Sequence, residues 1–189
     1  VSYGDTAQMV REFTTDPQAI ADGVDGLTPV GAAAMWDGIY AGAQTLENSP
    51  ELQPNIVVVS ASPDSASVTP ASRVNGLTTS LGTSVFAVGL EPGAPAAALE
   101  ELVGNSGGRY LSTTDVDRTM KREVLPSIDG QYDVLFATEV KAGEVVDLDA
   151  SVGDLTVAVS YIDGGIVVGN LELAPMETTS GGGGGILQS

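Results

Sequence analysis

Ser60, Ser62 and Asp64 alternate in the stretch "SASPDSAS", directly after the apolar run Ile56-Val57-Val58-Val59. That run reads as a buried parallel strand, and its carboxyl end is where open α/β sheets bind ligands. Two hydroxyls and a carboxylate there admit three chemistries: a serine nucleophile, oxygen ligation of a hard cation such as Mg²⁺, or hydrogen-bonded recognition of a partner. The first lacks a base. The chain has no histidine, and its lysines, Lys121 and Lys141, lie outside the loop. Absence of cysteine removes thiol nucleophiles, thiolate zinc sites and disulfides as well. The second needs converging ligands, and near this loop the sequence offers Asp64 and, on the preceding helix, Asp37.

Other polar clusters carry less. Asp22-Gly23-Val24-Asp25-Gly26 has part of a calcium-loop pattern but lacks its third acidic ligand and closing Glu, so a glycine-capped helix end is expected. Gly104-Asn105-Ser106-Gly107-Gly108 lacks the Lys and preceding strand of a phosphate loop, and reads as a helix-to-strand turn. Glu100-Glu101 and Glu144, Asp147 and Asp149 are expected on solvated faces, and Trp36 with Tyr40 in a helix-on-sheet core.

The elements that must position the loop follow from composition and period. With 189 residues and 42 % hydrophobic residues the chain can bury a core of ordinary domain size. Seven basic residues against 25 acidic ones give a net charge of −18, which repels nucleic-acid backbones and anionic lipid surfaces. No apolar run approaches the ~20 residues of a membrane span. Residues 1–126 alternate strand and helix signals, the mark of a mostly parallel sheet with helices on both faces. Strands are expected over Ala7–Phe13, Ile56–Val59, Ser84–Gly89 and, at an edge, Gly107–Leu111. Helices are expected from Pro17 to near Gly26, Ala32–Leu46, Pro70–Leu81, Pro95–Val103 and Thr114–Leu125, the last broken by Pro126.

After Pro126 the period becomes alternating. Residues 127–175 read as a small antiparallel all-β module built from Tyr132–Thr138, Glu144–Ala150, Asp154–Tyr161 and Ile166–Leu173, with Leu155, Val157, Val159 and Tyr161 inward. Residues 176–189 contain the glycine run Gly181–Gly185 and read as a flexible linker. The chain reads as a piece of a longer protein, cut at both ends.

The order of these pieces resembles the von Willebrand factor A (vWA) domain over residues 1 to about 126. The first stretch, "VSYGDTAQMVREFTTDPQAIADGVDGLTPVGAAAMWDGIYAGAQTL", is similar to that family's strand, hairpin, short helix and "P-x-G-G-T-x-L-x-D-A-I" turn into a long helix. The next, "NIVVVSASPDSAS", is similar to its strand "I-V-L-L-T-D-G-x-D", and "TSVFAVGLEPGAPAAALEELVGNSGGRYLSTTD" to the strand, helix and "G-G-x-Y" edge that follow.

The resemblance implies a metal-ion-dependent adhesion site formed by three loops at the strand ends. The first motif, D-x-S-x-S, would precede Val1. With Gly31 and Asp37 aligned, the threonine ligand of the second falls on Ala33, and the aspartate of the third falls on Ala61, with Ser60 and Ser62 on either side. A degenerate, metal-free site is therefore expected, its candidate surface being Ser60, Ser62, Asp64 and Gly31. The alternative keeps Mg²⁺, with the upstream strand supplying the principal ligands and Asp64 standing in. The implied function is a non-enzymatic, protein-binding or adhesion module, with no cofactor. The architecture is similar to the extracytoplasmic part of bacterial membrane, secretion or pilus-assembly proteins, tethered through sequence beyond residue 189.

Overall fold

In the computed structural model, β-branched Ile56–Val59 form the middle of a parallel strand, as their uninterrupted apolar run requires. The structure describes residues 1–28, 31–49, 53–90, 97–131, 145–152 and 155–162. In chain order they comprise hairpin strands β1 (Ser2–Tyr3) and β2 (Ala7–Gln8), helices α1 (Pro17–Asp25) and α2 (Met35–Glu47), strand β3 (Asn55–Ser60) and helix α3 (Ala71–Ser80). Strand β4 (Ser84–Leu90), helix α4 (Ala97–Asn105) and strand β5 (Tyr110–Thr113) follow, then helix α5 (Val116–Thr119), a π-helical turn (Met120–Val124), helix α6 (Leu125–Asp129) and strands β6 (Val145–Val152) and β7 (Leu155–Ile162).

The three-stranded sheet runs in the order β3-β4-β5 and is parallel throughout. Pairing extends from Asn55 opposite Ser84 to Ser60 opposite Gly89, and from Ala87 opposite Tyr110 to Leu90 opposite Thr113. The period of two along β4 divides the core. Val85 and Ala87 join Val58 and the buried faces of α2, α3 and α4, including Met35, Trp36, Ile39, Val74 and Leu99. Phe86 and Val88 point the other way, onto Val124, Met120 and Ile128. Helices thus cover both faces, as the sequence predicts, and Trp36 lies in the core with Tyr40 packed against it.

Several boundaries differ from the sequence expectation. The strand expected over Ala7–Phe13 is only Ala7–Gln8, because its partner in the hairpin is the two-residue strand Ser2–Tyr3. The edge strand lies at Tyr110–Thr113 rather than Gly107–Leu111. Gly107 takes φ +80°, and a Cβ on Gly108 would sit 1.8 Å from the Val85 carbonyl oxygen, so these glycines serve the turn. That turn is closed by Ser106, whose hydroxyl accepts from the Val85 amide and donates to the Val103 carbonyl.

Pro126 does not end its helix. It lacks a donor and would crowd the carbonyl four residues back. Here the Leu125 amide reaches five residues back, to Met120, and the widened π turn delivers Pro126 into the first turn of α6. The helix continues to Asp129, and Ile128 packs against the cluster of Phe86, Val88 and Val124. Asp115 caps the preceding segment by accepting from the Arg118 amide.

β6 and β7 form an antiparallel pair, Val145 opposite Ile162 through Val152 opposite Leu155. The stretches Tyr132–Thr138 and Ile166–Leu173, the residues 176–189, and the facing of Leu155, Val157, Val159 and Tyr161 lie outside what is described. Among the described residues no helix is long and apolar enough to cross a membrane.

Candidate functional site at the strand ends

Helix α2 begins without a side-chain cap of its own. Ala34 occupies the cap position, and Ala32 and Ala33 precede it. The first amides of a helix have no intrahelical acceptor, so they must be satisfied from elsewhere. The loop after β3 does this. The Ala33 amide donates to Ser65 Oγ (3.1 Å), the Trp36 amide to Asp64 Oδ1 (3.3 Å) and the Asp37 amide to Ser67 Oγ (3.2 Å). The Ser67 hydroxyl in turn donates to Asp64 Oδ1. In the other direction the Ser65 and Ala66 amides donate to the Ala33 carbonyl (2.9 and 3.1 Å). The loop is the helix cap.

Two more carboxylates fix neighbouring backbone. Asp37 accepts from the Val68 and Thr69 amides (3.0 and 2.8 Å). The Thr69 hydroxyl, more than these amides, holds its carboxyl below the usual range against a smaller push from desolvation. Asp5, in the hairpin turn, accepts from the Ala32 amide at 2.7 Å, and the Ala34 amide donates to the Gly4 carbonyl. Gly31 stands at φ +74°, where an added Cβ would lie 2.2 Å from the Asp5 carboxylate. Only glycine fits that turn.

Of the sequence candidates, Ser60 is 4 % exposed, and its hydroxyl is tied to its own loop, donating to the Ser62 carbonyl at 2.7 Å. Beside it the Tyr3 hydroxyl donates to the Val59 carbonyl at 2.6 Å. Burial pushes the Tyr3 phenol up, with a hydrogen bond to Ser60 opposing it. Ser62 lies exposed between Ala61 and Pro63, and Gly31 is exposed too. Asp64 is half-buried on the cap. The positions expected to hold a hydroxyl and a carboxylate ligand, Ala33 and Ala61, present methyl groups; Ala33 takes part through its backbone. Among the described residues no group of three or more His, Cys, Asp or Glu side chains comes together to hold a metal ion. Val68, 92 % exposed, rises from the same loop with its amide held by Asp37.

Asp5, Ser65, Ser67 and Tyr3 were not among the sequence candidates. A legible signal was the run Ala32-Ala33-Ala34 ahead of a helix, since an uncapped start calls for an acceptor-rich loop elsewhere. The lesser motifs are structural. Asp22 accepts from Gln18 Nε2 within α1, whose end is closed by Gly26. Glu100, Glu101 and Asp147 are exposed, while the side chains of Glu144 and Asp149 lie outside the described set. Arg73 stacks 4.9 Å above the Tyr40 ring.

No protein-family model and no curated protein matches the sequence. Solved structures do. A von Willebrand factor type A protein from Catenulispora acidiphila superposes with a TM-score of 0.56 at 15 % identity, over 66 % of this chain and 31 % of that one. The VWA domain of SpRpn10 gives 0.45 at 17 % identity, over 59 % and 61 %. Proximal thread matrix protein 1 from the mussel byssus gives 0.48 at 19 %, over 60 % and 30 %. The chain thus spans under a third of the first of these structures. Parallel β3-β4-β5, helices on both faces and a hairpin leading into α1 and α2 agree with that likeness: the α/β part of this chain has the fold of a von Willebrand factor A domain, followed by a small antiparallel sheet.

Proposed function

We propose that the α/β unit is a non-enzymatic protein-interaction module whose strand-end face, Ala61, Ser62, Pro63 and Val68 around the start of α2, binds a protein partner without a bridging metal ion. One observation carries this reading: Asp5, Asp37 and Asp64, the carboxylates nearest the face, are each engaged by backbone amides of a neighbouring segment. These bonds commit Oδ1 of Asp5 and of Asp64 and both oxygens of Asp37 to the backbone, so a cation at the face would compete with amide donors for the same carboxylates. The exposed groups that remain are methyl, proline ring, valine and serine, suited to apolar contact with a few hydrogen bonds. No nucleophile there has a base, which supports a binding role over an enzymatic one. The charge of −18 argues against nucleic acid as the partner. We place the module outside the cytoplasm of a bacterium, tethered beyond its glycine run; the support for this is the order of vWA fold, β strands and glycine-rich stretch.

Calorimetric titration of Mg²⁺ and Mn²⁺ tests the metal-free reading. Uptake no tighter than about millimolar is expected of an acidic surface. A saturable site tighter than that, abolished by Asp64→Ala, would establish the metal-dependent alternative instead. Partner capture from an extracytoplasmic fraction should survive chelation of divalent cations and be lost in Val68→Asp.

A further inference from the structure

Basic side chains are scarce in this chain, and four of the seven, Arg109, Arg118, Lys121 and Arg122, fall within residues 109–122. All four are exposed. Arg109, just before β5, lies 3.8 Å from Glu123 of the π turn, and Lys121 holds Asp117 at 2.8 Å one turn back. Asp115 is committed to the helix cap, where it accepts from the Arg118 amide. These three carboxylates are thus engaged, and among the described residues no ion pair reaches the guanidinium group of Arg118 or Arg122. Helix physics opposes that arrangement. The helical segment runs unbroken from Val116 to Asp129, so Arg118 stands in its first turn, at the end of the dipole that disfavours cations. Arg122 follows four residues later, where two like charges share a helix face and repel. Leu125, 46 % exposed, lies three residues beyond.

We propose that Arg118, Arg122 and Leu125 form a second docking surface, which receives a short acidic segment of a partner protein: carboxylates for the two guanidinium groups and an apolar side chain for Leu125. Charge complementarity selects this occupant. A guanidinium group takes a carboxylate through two parallel hydrogen bonds, which an ammonium group cannot reproduce, and both unpaired positions are arginine. The net charge of −18 selects the length. A nucleic-acid duplex or an anionic bilayer would extend past these two arginines onto the acidic remainder of the surface. A segment a few residues long feels little beyond the screening distance of about 8 Å at physiological salt. A second copy of this chain would bring its own charge of −18 with it. The helical segment packs on the sheet face opposite α2, so the inference holds or fails independently of the strand-end loop.

The test uses the full-length protein and a labelled peptide, glutamate throughout with leucine at every fourth position, followed by fluorescence anisotropy at low ionic strength. Saturable binding is expected, weakening as NaCl is raised, and at least about tenfold weaker for the same peptide with glutamine in place of glutamate. Arg118→Gln combined with Arg122→Gln should weaken binding of the glutamate peptide by a similar factor. Lys121→Gln removes an ammonium group already held by Asp117 and should change it less than about twofold. Removing two like charges from one helix face should leave the Tm of the double variant unchanged or raised, which separates lost binding from lost folding. Absence of saturable binding, equal binding of the glutamine peptide, or equal binding by the double variant would each overturn the proposal. So would displacement of the peptide by millimolar inorganic phosphate, self-association of the protein that the double variant abolishes, or a fall in Tm of that variant.

Discussion

Removing the Asp64 carboxylate separates a structural cap from a metal ligand. In Asp64→Ala the Trp36 amide loses its acceptor and the Ser67 hydroxyl its partner. Deleting a helix cap costs about 1 kcal/mol, within a range of roughly 0.5–2. Losing a negative charge at the positive end of the α2 dipole adds about 0.3–1 kcal/mol. The sum, about 0.8–3 kcal/mol, corresponds to a fall in Tm of roughly 2–12 °C for a chain of this size. Thermal and urea unfolding are to be followed in chelator, so that no divalent cation contributes. Asp64→Asn is the informative companion, since its amide oxygen keeps an acceptor at the reach of Oδ1 but, lacking the charge, is a weaker cation ligand. The cap reading expects Asp64→Asn to recover most of the hydrogen-bond part of the loss. Unchanged stability of Asp64→Ala in chelator, with a loss that appears only when Mg²⁺ is present, would refute it.

Three further perturbations follow from the same geometry. Gly31→Ala forces a Cβ into the Asp5 carboxylate at a left-handed φ and should cost about 1–3 kcal/mol by urea denaturation, more than Gly76→Ala, which meets open space. Asp37 has its folded pKa below the unfolded value, so its stabilisation is complete above the unfolded pKa and is lost as pH falls through the folded one; Asp37→Asn should lose most stability at neutral pH, differ little from the parent below the folded pKa, and so flatten the acid limb of the stability–pH curve. Val58, 4 % exposed within the larger core cluster, should not tolerate aspartate: an unpaired buried carboxylate costs several kcal/mol against a total of roughly 5–15, and circular dichroism of Val58→Asp should show loss of the cooperative melt.

What was legible in the sequence was what a short window contains. Ile56–Val59 and Ser84–Gly89 are apolar runs bounded by turn residues, and both became parallel strands. Met35, Ile39, Ala43 and Leu46 recur at helical spacing, and all are buried on α2. Pro126 misled because its usual effect assumes a four-residue backbone reach, whereas the π turn before it changes that reach. The length of β2 was set by its partner, which no window over Ala7–Phe13 holds. The site was least legible, for the same reason. Asp64 acts on an amide 28 residues away, and Asp37 on amides 31 and 32 residues away. A spacing argument sees two scattered carboxylates, while the fold sees two caps.

The methyl groups of Ala33 and Ala61 at the strand ends and the use of carboxylates as caps bear on each other. A helix start concentrates unsatisfied amides and positive dipole, so it is a natural seat for an anion from outside. At α2 that seat is filled from within the chain, by Asp64 on Trp36 and by Ser65 and Ser67 on Ala33 and Asp37. An acidic group of a partner would find the Ala33, Trp36 and Asp37 amides already engaged, and would face the chain's own carboxylates. Contact through Val68, Pro63 and the Ala61 methyl avoids that conflict, and the hydrogen-bonded loop holds those groups in place before any partner arrives. Rigidity of this kind lowers the ordering cost of binding. Loosening the cap should therefore weaken partner binding as well as the fold, even though Asp64 need not touch the partner.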